Sequence, residues 1–157
     1  MMPRLLLMLF AMLLITGCGI NRYLVPPYEK ITLMAAEDAN PDISGRPSPV
    51  TVKLLELSGR ATFDNLDFDG AFFNAEVLLS DELLSSSDYV IQPGESITHR
   101  IDLHKEAGFV AVVAAFRDID EARWKLIYPV TGNWYNSHTV SVSRNAVVFG
   151  ASTNKGQ

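Results

Sequence analysis

Cysteine is nearly absent from this sequence, in which Cys18 is the single one among 157 residues. A lone cysteine cannot form an internal disulfide, so the folded part of the chain must depend on its apolar core for stability. The three histidines lie at positions 99, 104 and 138, and none has a second histidine or a cysteine at the spacing of a zinc site. A glycine-rich phosphate loop, a nucleophile elbow and a Ser/His/Asp arrangement are missing as well. These absences predict a protein that is not an enzyme and that has no catalytic residues, metal, cofactor or small-molecule substrate.

Positive charge is also scarce, with 13 Lys and Arg residues against 18 Asp and Glu residues and a net charge of −5. Binding to nucleic acid requires clustered Lys and Arg residues, and so does electrostatic binding to anionic lipids. The sequence contains no such basic cluster. It therefore excludes a nucleic-acid-binding protein, and it predicts that any membrane contact is made through a covalent lipid alone.

The longest apolar run extends from Leu5 to Ile15 and is too short for a transmembrane helix, which needs about 20 apolar residues. It matches the core of a secretory signal peptide, which is roughly 7 to 15 residues long. The run ends in Ile15-Thr16-Gly17-Cys18, which fits the lipobox pattern of a branched apolar residue, two small residues and a cysteine. The sequence therefore predicts a signal peptide over residues 1–17, cleavage before Cys18 and a diacylglycerol on the Cys18 thiol.

The alternative is an ordinary signal peptide with a chance cysteine nearby. Lipidation is favoured because the single cysteine lies at the one position where the modification needs it. Two or more acyl chains hold a protein stably on a membrane, whereas one chain is marginal. Gly19 follows Cys18, and the absence of Asp at this position favours the outer membrane over the inner one, with the chain facing the periplasm.

The remaining 140 residues carry a net charge of −6, because cleavage removes Arg4, and this length predicts one domain. Residues 18–28 form a lipidated tether, residues 29–150 a mainly β domain, and residues 151–157 a tail. Ten extended tether residues reach at most about 35 Å. Short strands separated by turn residues favour a two-sheet β-sandwich. The predicted strands cover residues 30–35, 50–57, 89–91, 97–103, 109–116 and 124–130, with a final hairpin over 140–149.

Two strands have unusual patterns. The apolar positions of residues 50–57 change phase at Leu55 and Leu57, which suggests a β-bulge. Residues 109–116 are apolar throughout, as expected of a central strand that is covered on both faces.

Period-2 alternation disappears between residues 58 and 87, where apolar residues have the spacing of short helical turns. We expect a helical insertion that packs on the sheet and ends at the serine run 85–87. Its aromatic residues Phe63, Phe68, Phe72 and Phe73 either seal the insertion onto the sheet, which we favour, or line a site for a small apolar ligand.

Three further polar features have structural explanations. The aspartates at positions 64, 67 and 69 lack the Gly and terminal Glu of a calcium loop and are expected in a solvated loop. His99 lies on an apolar strand face, as expected of a hydrogen-bonded core histidine. Arg117 follows the buried strand and is expected to pin its end by hydrogen bonds.

The order of several segments resembles the outer-membrane lipoprotein family of type VI secretion systems, TssJ (SciN, VasD). The segments are Asn40-Pro41-Asp42, Gly45-Arg46-Pro47-Ser48-Pro49-Val50, Val90-Ile91-Gln92-Pro93-Gly94, residues 109–118 and Ala122-Arg123-Trp124-Lys125. The resemblance implies a transthyretin-like β-sandwich with a helical addition. It also implies a non-enzymatic role, in which the lipoprotein binds the periplasmic domain of TssM and, through it, TssL in a membrane complex.

The resemblance assigns TssM binding to the loop between the first two strands, here residues 37–49. The expected contact residues are Asn40, Pro41, Asp42, Gly45, Arg46, Pro47 and Ser48. Prolines at positions 41, 47 and 49 restrict the backbone before binding, which lowers the ordering cost of association. The residues alone leave open that this is an ordinary connection built from turn residues.

Overall fold

The computed structural model describes residues 26–150. The predicted signal peptide, Cys18, most of the tether and the tail lie outside these residues. Within them, no helix is long and apolar enough to cross a membrane.

Residues 26–150 form two four-stranded sheets packed face to face, which confirms the predicted two-sheet sandwich. The first sheet has the strand order β4-β1-β7-β8 and the second has the order β3-β2-β5-β6. The strands are β1 (Tyr28–Ala35), β2 (Val50–Leu57), β3 (Leu83–Ile91), β4 (Ser96–Asp102), β5 (Phe109–Ala115), β6 (Lys125–Pro129), β7 (Tyr135–Val142) and β8 (Val147–Phe149).

β1 is an inner strand of the first sheet. Its alternation buries Glu29, Ile31, Leu33 and Ala35 and turns the intervening side chains outward. It pairs antiparallel with β4 and parallel with β7. The main core therefore lies between the two sheets, and β1 is hydrogen-bonded along both edges.

β5 is covered on both faces, as predicted. Val110, Val112 and Ala114 pack in the core between the sheets, whereas Ala111 and Val113 face a second apolar cluster beneath the helical insertion. β2 behaves in the same way, since Leu54 packs in the first cluster and Leu55 in the second. The apolar positions of β2 therefore change phase because the second face of the strand is buried as well.

The bulge predicted in β2 is wrong, and a bulge lies in the neighbouring strand instead. The pairing of β2 with β3 shifts register between Glu56 and Leu57, while the pairing of β2 with β5 continues through both residues. The extra residue is thus in β3, at Leu84.

The helical insertion is shorter than the predicted range 58–87. Three short helices cover Ala61–Asp64 (α1), Phe68–Phe73 (α2) and Ala75–Leu78 (α3), and residues 83–87 belong to β3. The prediction that the serine run closes the insertion is therefore wrong. β3 is an edge strand whose residues 86–88 are exposed, so its polar sequence shows no alternation.

The two ends of the sandwich differ. β1 starts at Tyr28, where the tether enters, and ends at Ala35, where the 37–49 loop follows. At roughly 3.3 Å per residue, its eight residues separate these points by about 25 Å. We call them the tether end and the loop end. The loop end also carries the predicted Pro93-Gly94 turn, in which Gly94 has φ 77° and Glu95 N donates to Gln92 O at 3.0 Å.

Candidate partner-binding loop

The 37–49 loop is fixed to the sandwich by its backbone. Ala36 N donates to Val142 O at 2.9 Å, and Ser48 N donates to Ala39 O at 3.2 Å. Ala39 itself is buried. Both ends of the loop are thus closed against each other and against β7.

Asn40 holds the loop from inside. It is buried and adopts φ 50°, a left-handed conformation that Asn tolerates better than most residues. Its Nδ2 donates to Pro49 O at 2.6 Å, and its Oδ1 accepts from Arg117 N at 2.8 Å. Its own backbone N donates to Arg144 O at 3.1 Å. Asn40 therefore links both arms of the loop to the segment that follows β5 through its side chain, and to the segment that follows β7 through its backbone.

Ser48 and Arg117 continue this network. Ser48 Oγ donates to Asn40 O and accepts from Arg117 Nε at 2.8 Å. The predicted structural role of Arg117 is confirmed, and the structure shows that it pins the loop as well as the end of β5. Asn40 and Ser48, two of the expected contact residues, are buried and make their contacts within the chain.

The tip of the loop is closed by a second set of bonds around Asp42. Its Oδ1 accepts from Ser44 N at 2.8 Å and from Arg46 N at 3.0 Å. Its Oδ2 accepts from Arg46 Nε at 2.8 Å and lies 2.7 Å from Arg46 NH2. Gly45 has φ 79°, which the reversal of the chain requires. The hydrogen bonds from Arg46 lower the pKa of Asp42.

This tip presents a small mixed surface to solvent. The Ile43 side chain is fully exposed and that of Arg46 is 79% exposed, with Gly45 and Pro47 exposed between and beside them. Pro41 and Asp42 are half-buried. Sequence reasoning missed Ile43, although an apolar residue between Asp42 and Ser44-Gly45 is an unusual occupant of a turn.

An open cleft of about 640 Å³ lies beside the tip. The loop forms one wall through residues 40–43, and the other walls come from Phe116, Arg117, Asp118, Arg144 and Asn145. The loop end thus offers an exposed tip next to a depression with both polar and apolar walls, a shape that suits contact with another protein.

The aromatic residues of the insertion pack on one another. Phe63 is fully buried, and the Phe68 ring lies 5.2 Å from Phe72, 5.9 Å from Phe73 and 5.6 Å from Trp124. These contacts, and the separate position of the cleft, support the interpretation that the rings seal the insertion onto the second sheet.

The aspartates at positions 64, 67 and 69 lie in α1, at the start of α2 and in α2, and not in the predicted solvated loop. Asp64 accepts from Arg60, and Asp67 caps α2 by accepting from Gly70 N at 2.8 Å. His99, predicted to be a hydrogen-bonded core histidine, is half-buried, and its ring lies 4.0 Å from that of Tyr89. In residues 26–150 no group of three or more His, Cys, Asp and Glu side chains is placed to hold a metal ion.

Two buried carboxylates were not predicted from the sequence. Glu29 accepts from Tyr128 OH at 3.3 Å and lies 3.0 Å from His138 Nδ1. Glu56 accepts from His104 N at 2.6 Å, from Ser85 Oγ at 2.7 Å, and lies 2.9 Å from His104 Nδ1. Each carboxylate links strands of the sandwich to a histidine.

Residues 28–145 match the model of the family T6SS-SciN, described as type VI secretion lipoprotein, VasD, EvfM and TssJ. The chain belongs to this family. The comparison with curated protein sequences finds no match. Among solved structures, the chain is similar to the T6SS lipoprotein TssJ1 from Pseudomonas aeruginosa, with 26% identity, a TM-score of 0.76, and coverage of 80% of this chain and 96% of that one.

Two further structures share the fold of this type VI secretion lipoprotein. Serratia marcescens Lip, described as a membrane bound component of the type VI secretion system, has 18% identity and a TM-score of 0.71 over 83% of this chain and 100% of its own. A chain in the structure described as T6SS protein TssM C-terminal domain from EAEC has 23% identity and a TM-score of 0.64 over 77% of this chain and 98% of its own.

Proposed function

We propose that this type VI secretion lipoprotein is anchored in the outer membrane by a lipid on Cys18. Its 37–49 loop binds the periplasmic domain of TssM and so links the membrane to the secretion apparatus, with TssL joined through TssM. The chain performs this role by binding alone, without catalysis. The observation that carries the proposal is the pinned loop with its exposed tip, in a chain that belongs to this family.

The loop is built to bind with a small entropic cost. Its stem is held by Asn40 and Ser48, and its tip is closed by the Asp42–Arg46 pair. A segment that is already ordered loses less conformational freedom on association than a flexible one. The tip surface around Ile43 is therefore available for contacts without first having to fold.

Arg46 and Asp42 also bear on specificity. The sequence suggests that both residues contact the partner, but in this structure they bind each other. Arg46 remains exposed enough for its outer face to meet an acidic or aromatic group on TssM. Asp42 instead orients Arg46, so the two residues act as one unit.

The partner assignment is tested by measuring the affinity of the mature chain for the TssM periplasmic domain by calorimetry. We expect Arg46→Glu to weaken binding by about tenfold or more, which corresponds to about 1.4 kcal/mol. The matched control is Arg60→Glu, because Arg60 forms the same kind of i,i+4 pair with Asp64 on the helical insertion. If the two variants bind the TssM periplasmic domain with equal affinity, the loop is not part of the interface.

The anchor is tested separately by cell fractionation and mass spectrometry. Cys18→Ser should give an unlipidated chain that leaves the membrane fraction but still binds TssM. Gly19→Asp should keep the lipid and move the chain to the inner membrane. An unmodified Cys18 in the mature wild-type chain would disprove the anchor without affecting the loop assignment.

A further inference from the structure

We infer that the tether end carries a second membrane contact, in which Tyr28, Trp134 and Tyr135 lie in the lipid headgroup region of the leaflet that holds the Cys18 lipid. We call these three residues the aromatic rim. The inference rests on the proposed lipid anchor and goes beyond it, since the sequence alone predicts contact through the lipid only.

The aromatic rim is a continuous patch at the surface, in which Trp134 and Tyr135 are exposed and Tyr28 is half-buried. Tyr28 and Tyr135 are cross-strand neighbours in the parallel pair of β1 and β7, and both side chains point away from the core. Their rings lie 5.0 Å apart, and the Trp134 ring lies 6.2 Å from Tyr135. Trp134 is 58% exposed and Tyr135 is 46% exposed.

The composition of this surface suits an interface between water and lipid. Trp and Tyr are enriched at the headgroup level of membranes because each has an apolar body and a polar edge. The Arg100 guanidinium lies 4.3 Å above the Tyr28 ring and forms an ion pair with Asp102. The rim therefore combines aromatic area with groups that can hydrogen-bond to phosphates.

Local charge does not oppose this contact, although the whole chain is acidic. Lys30 is exposed next to the rim on β1, and the 104–107 turn packs against the segment that leads to Trp134. That turn adds Lys105 and Glu106, both exposed. Three cations thus stand against two carboxylates around the rim, counting Arg100 and Asp102.

The tether brings the rim to the leaflet. Tyr28 is both a member of the rim and the first residue of β1, ten residues after Cys18. A chain of this length reaches at most about 35 Å, so an anchored domain keeps the rim at a high effective concentration near the lipid. A rim that binds only weakly would then suffice to orient the domain, with the 37–49 loop directed away from the membrane.

The two tryptophans allow a direct test. Trp134 lies in the rim, whereas Trp124 packs on Phe68 beneath the insertion. The mature chain, with its single cysteine, is coupled through the Cys18 thiol to maleimide-bearing lipid in vesicles of phosphatidylethanolamine and phosphatidylglycerol. This chemical coupling makes the result independent of whether cells lipidate Cys18.

In a Trp124→Phe chain, coupling to the vesicles should shift the Trp134 emission to the blue and make it sensitive to quenching by brominated acyl chains. In the matched Trp134→Phe chain, the Trp124 emission should not respond. Adding Tyr28→Ser and Tyr135→Ser to the first chain should reduce the quenching of Trp134, while circular dichroism stays that of the folded domain.

Two results would overturn the inference. One is a Trp134 emission that coupling leaves unchanged. The other is protection of Trp134 by the TssM periplasmic domain in the absence of vesicles, which would make the rim a protein-binding surface. Neither result affects the Arg46→Glu measurement, so the loop assignment is tested independently of the aromatic rim.

Discussion

Asn40 shows how much of the loop geometry depends on one side chain. Its amide joins the carbonyl of Pro49 to the backbone N–H of Arg117, and its backbone occupies the left-handed region. A buried hydrogen-bonding group that loses its partner costs about 1–3 kcal/mol. The shape of the loop therefore depends on a residue that is itself buried.

Substitutions at Asn40 separate the contribution of its amide hydrogen bonds from that of its left-handed backbone conformation. Asn40→Ala should lower the free energy of unfolding by about 1–3 kcal/mol, since it removes the amide and leaves alanine, which tolerates the left-handed conformation less well than asparagine. Asn40→Gly removes the same amide but relieves the backbone, so it should cost less. Urea unfolding measures both, and Asn65→Ala, at the exposed residue that follows α1, should change stability by less than about 0.5 kcal/mol. Equal losses for Ala and Gly would mean that the backbone conformation contributes nothing.

Glu29 is a buried carboxyl group whose pKa is raised by burial, an effect that the neighbouring His138 and Tyr128 oppose only in part. Its Oε2 has no hydrogen-bond partner within the described part of the chain. Burial and the nearby carboxylate raise the pKa of Tyr128 as well. The folded protein therefore holds the Glu29 proton to a higher pH than the unfolded chain does.

A dependence of stability on pH follows from this difference. As the pH rises above about 4.5, the ordinary pKa of Glu, the unfolded chain releases the Glu29 proton before the folded chain does, so stability falls until the raised pKa is passed. In Glu29→Gln this fall should be absent. Urea unfolding at a series of pH values measures it, with Glu76→Gln at an exposed helical position as the control. The same slope in Glu29→Gln and wild type would contradict the assignment.

At the scale of secondary-structure elements, the strands that were predicted correctly are those whose burial pattern is visible in their own sequence. β5 was predicted from its unbroken apolar run, and β4 from the alternation of Ile97, His99 and Ile101, since burial on one or both faces is written into the sequence. β3 was missed in part because an edge strand has few buried positions. The parallel pairing of β1 with β7 joins residues more than 100 positions apart, which no local pattern records.

The candidate site was predictable in the same limited way. Its Pro, Gly and Asn residues mark the 37–49 loop as a turn-rich segment. Which of its residues face inward depends on Arg117 and Arg144, which come from distant parts of the sequence. The sequence alone therefore identified the segment but could not separate the buried Asn40 and Ser48 from the exposed Ile43.

The short helices of the insertion depend on individual caps, because α2 has only six residues. Asp67 accepts from Gly70 N, so Asp67→Ala should lower the free energy of unfolding by about 0.5–2 kcal/mol. Asp69→Ala, in the first turn of the same helix, is the matched control with the same loss of charge. TssM binding should be unchanged in both variants, since the insertion lies apart from the loop. Equal stabilities in urea would show that the cap contributes nothing.

At the scale of the whole molecule, the two proposed contacts lie at opposite ends of one sandwich, about 25 Å apart along β1. The main core between the sheets is a single cluster that includes Leu103 and Val130 near the tether end and Ala35 and Ala39 near the loop end. A domain of this kind can hold a membrane surface and a protein partner at the same time.

This arrangement predicts that membrane attachment leaves partner binding intact. The mature chain coupled to vesicles through Cys18 should bind the TssM periplasmic domain with the same affinity as the free Cys18→Ser chain. Titration of the TssM periplasmic domain against the vesicle-coupled chain and against the free chain gives the two affinities. The Arg46→Glu chain is the negative control. A loss of about tenfold or more on the vesicles would place the loop near the lipid surface instead.

The position of β1 has a mechanical consequence. A pull between a lipid at Cys18 and a partner at the loop would enter the domain at Tyr28 and leave it at Ala35, so the tension would run along the covalent backbone of a single strand. β4 and β7 flank that strand, and their ladders lie across the direction of pull. Because the load enters and leaves on the same strand, it passes through covalent bonds, and the ladders on either side do not have to carry it. The line that joins the two attachments is thus spanned by the covalent backbone of one strand and not by hydrogen bonds between strands.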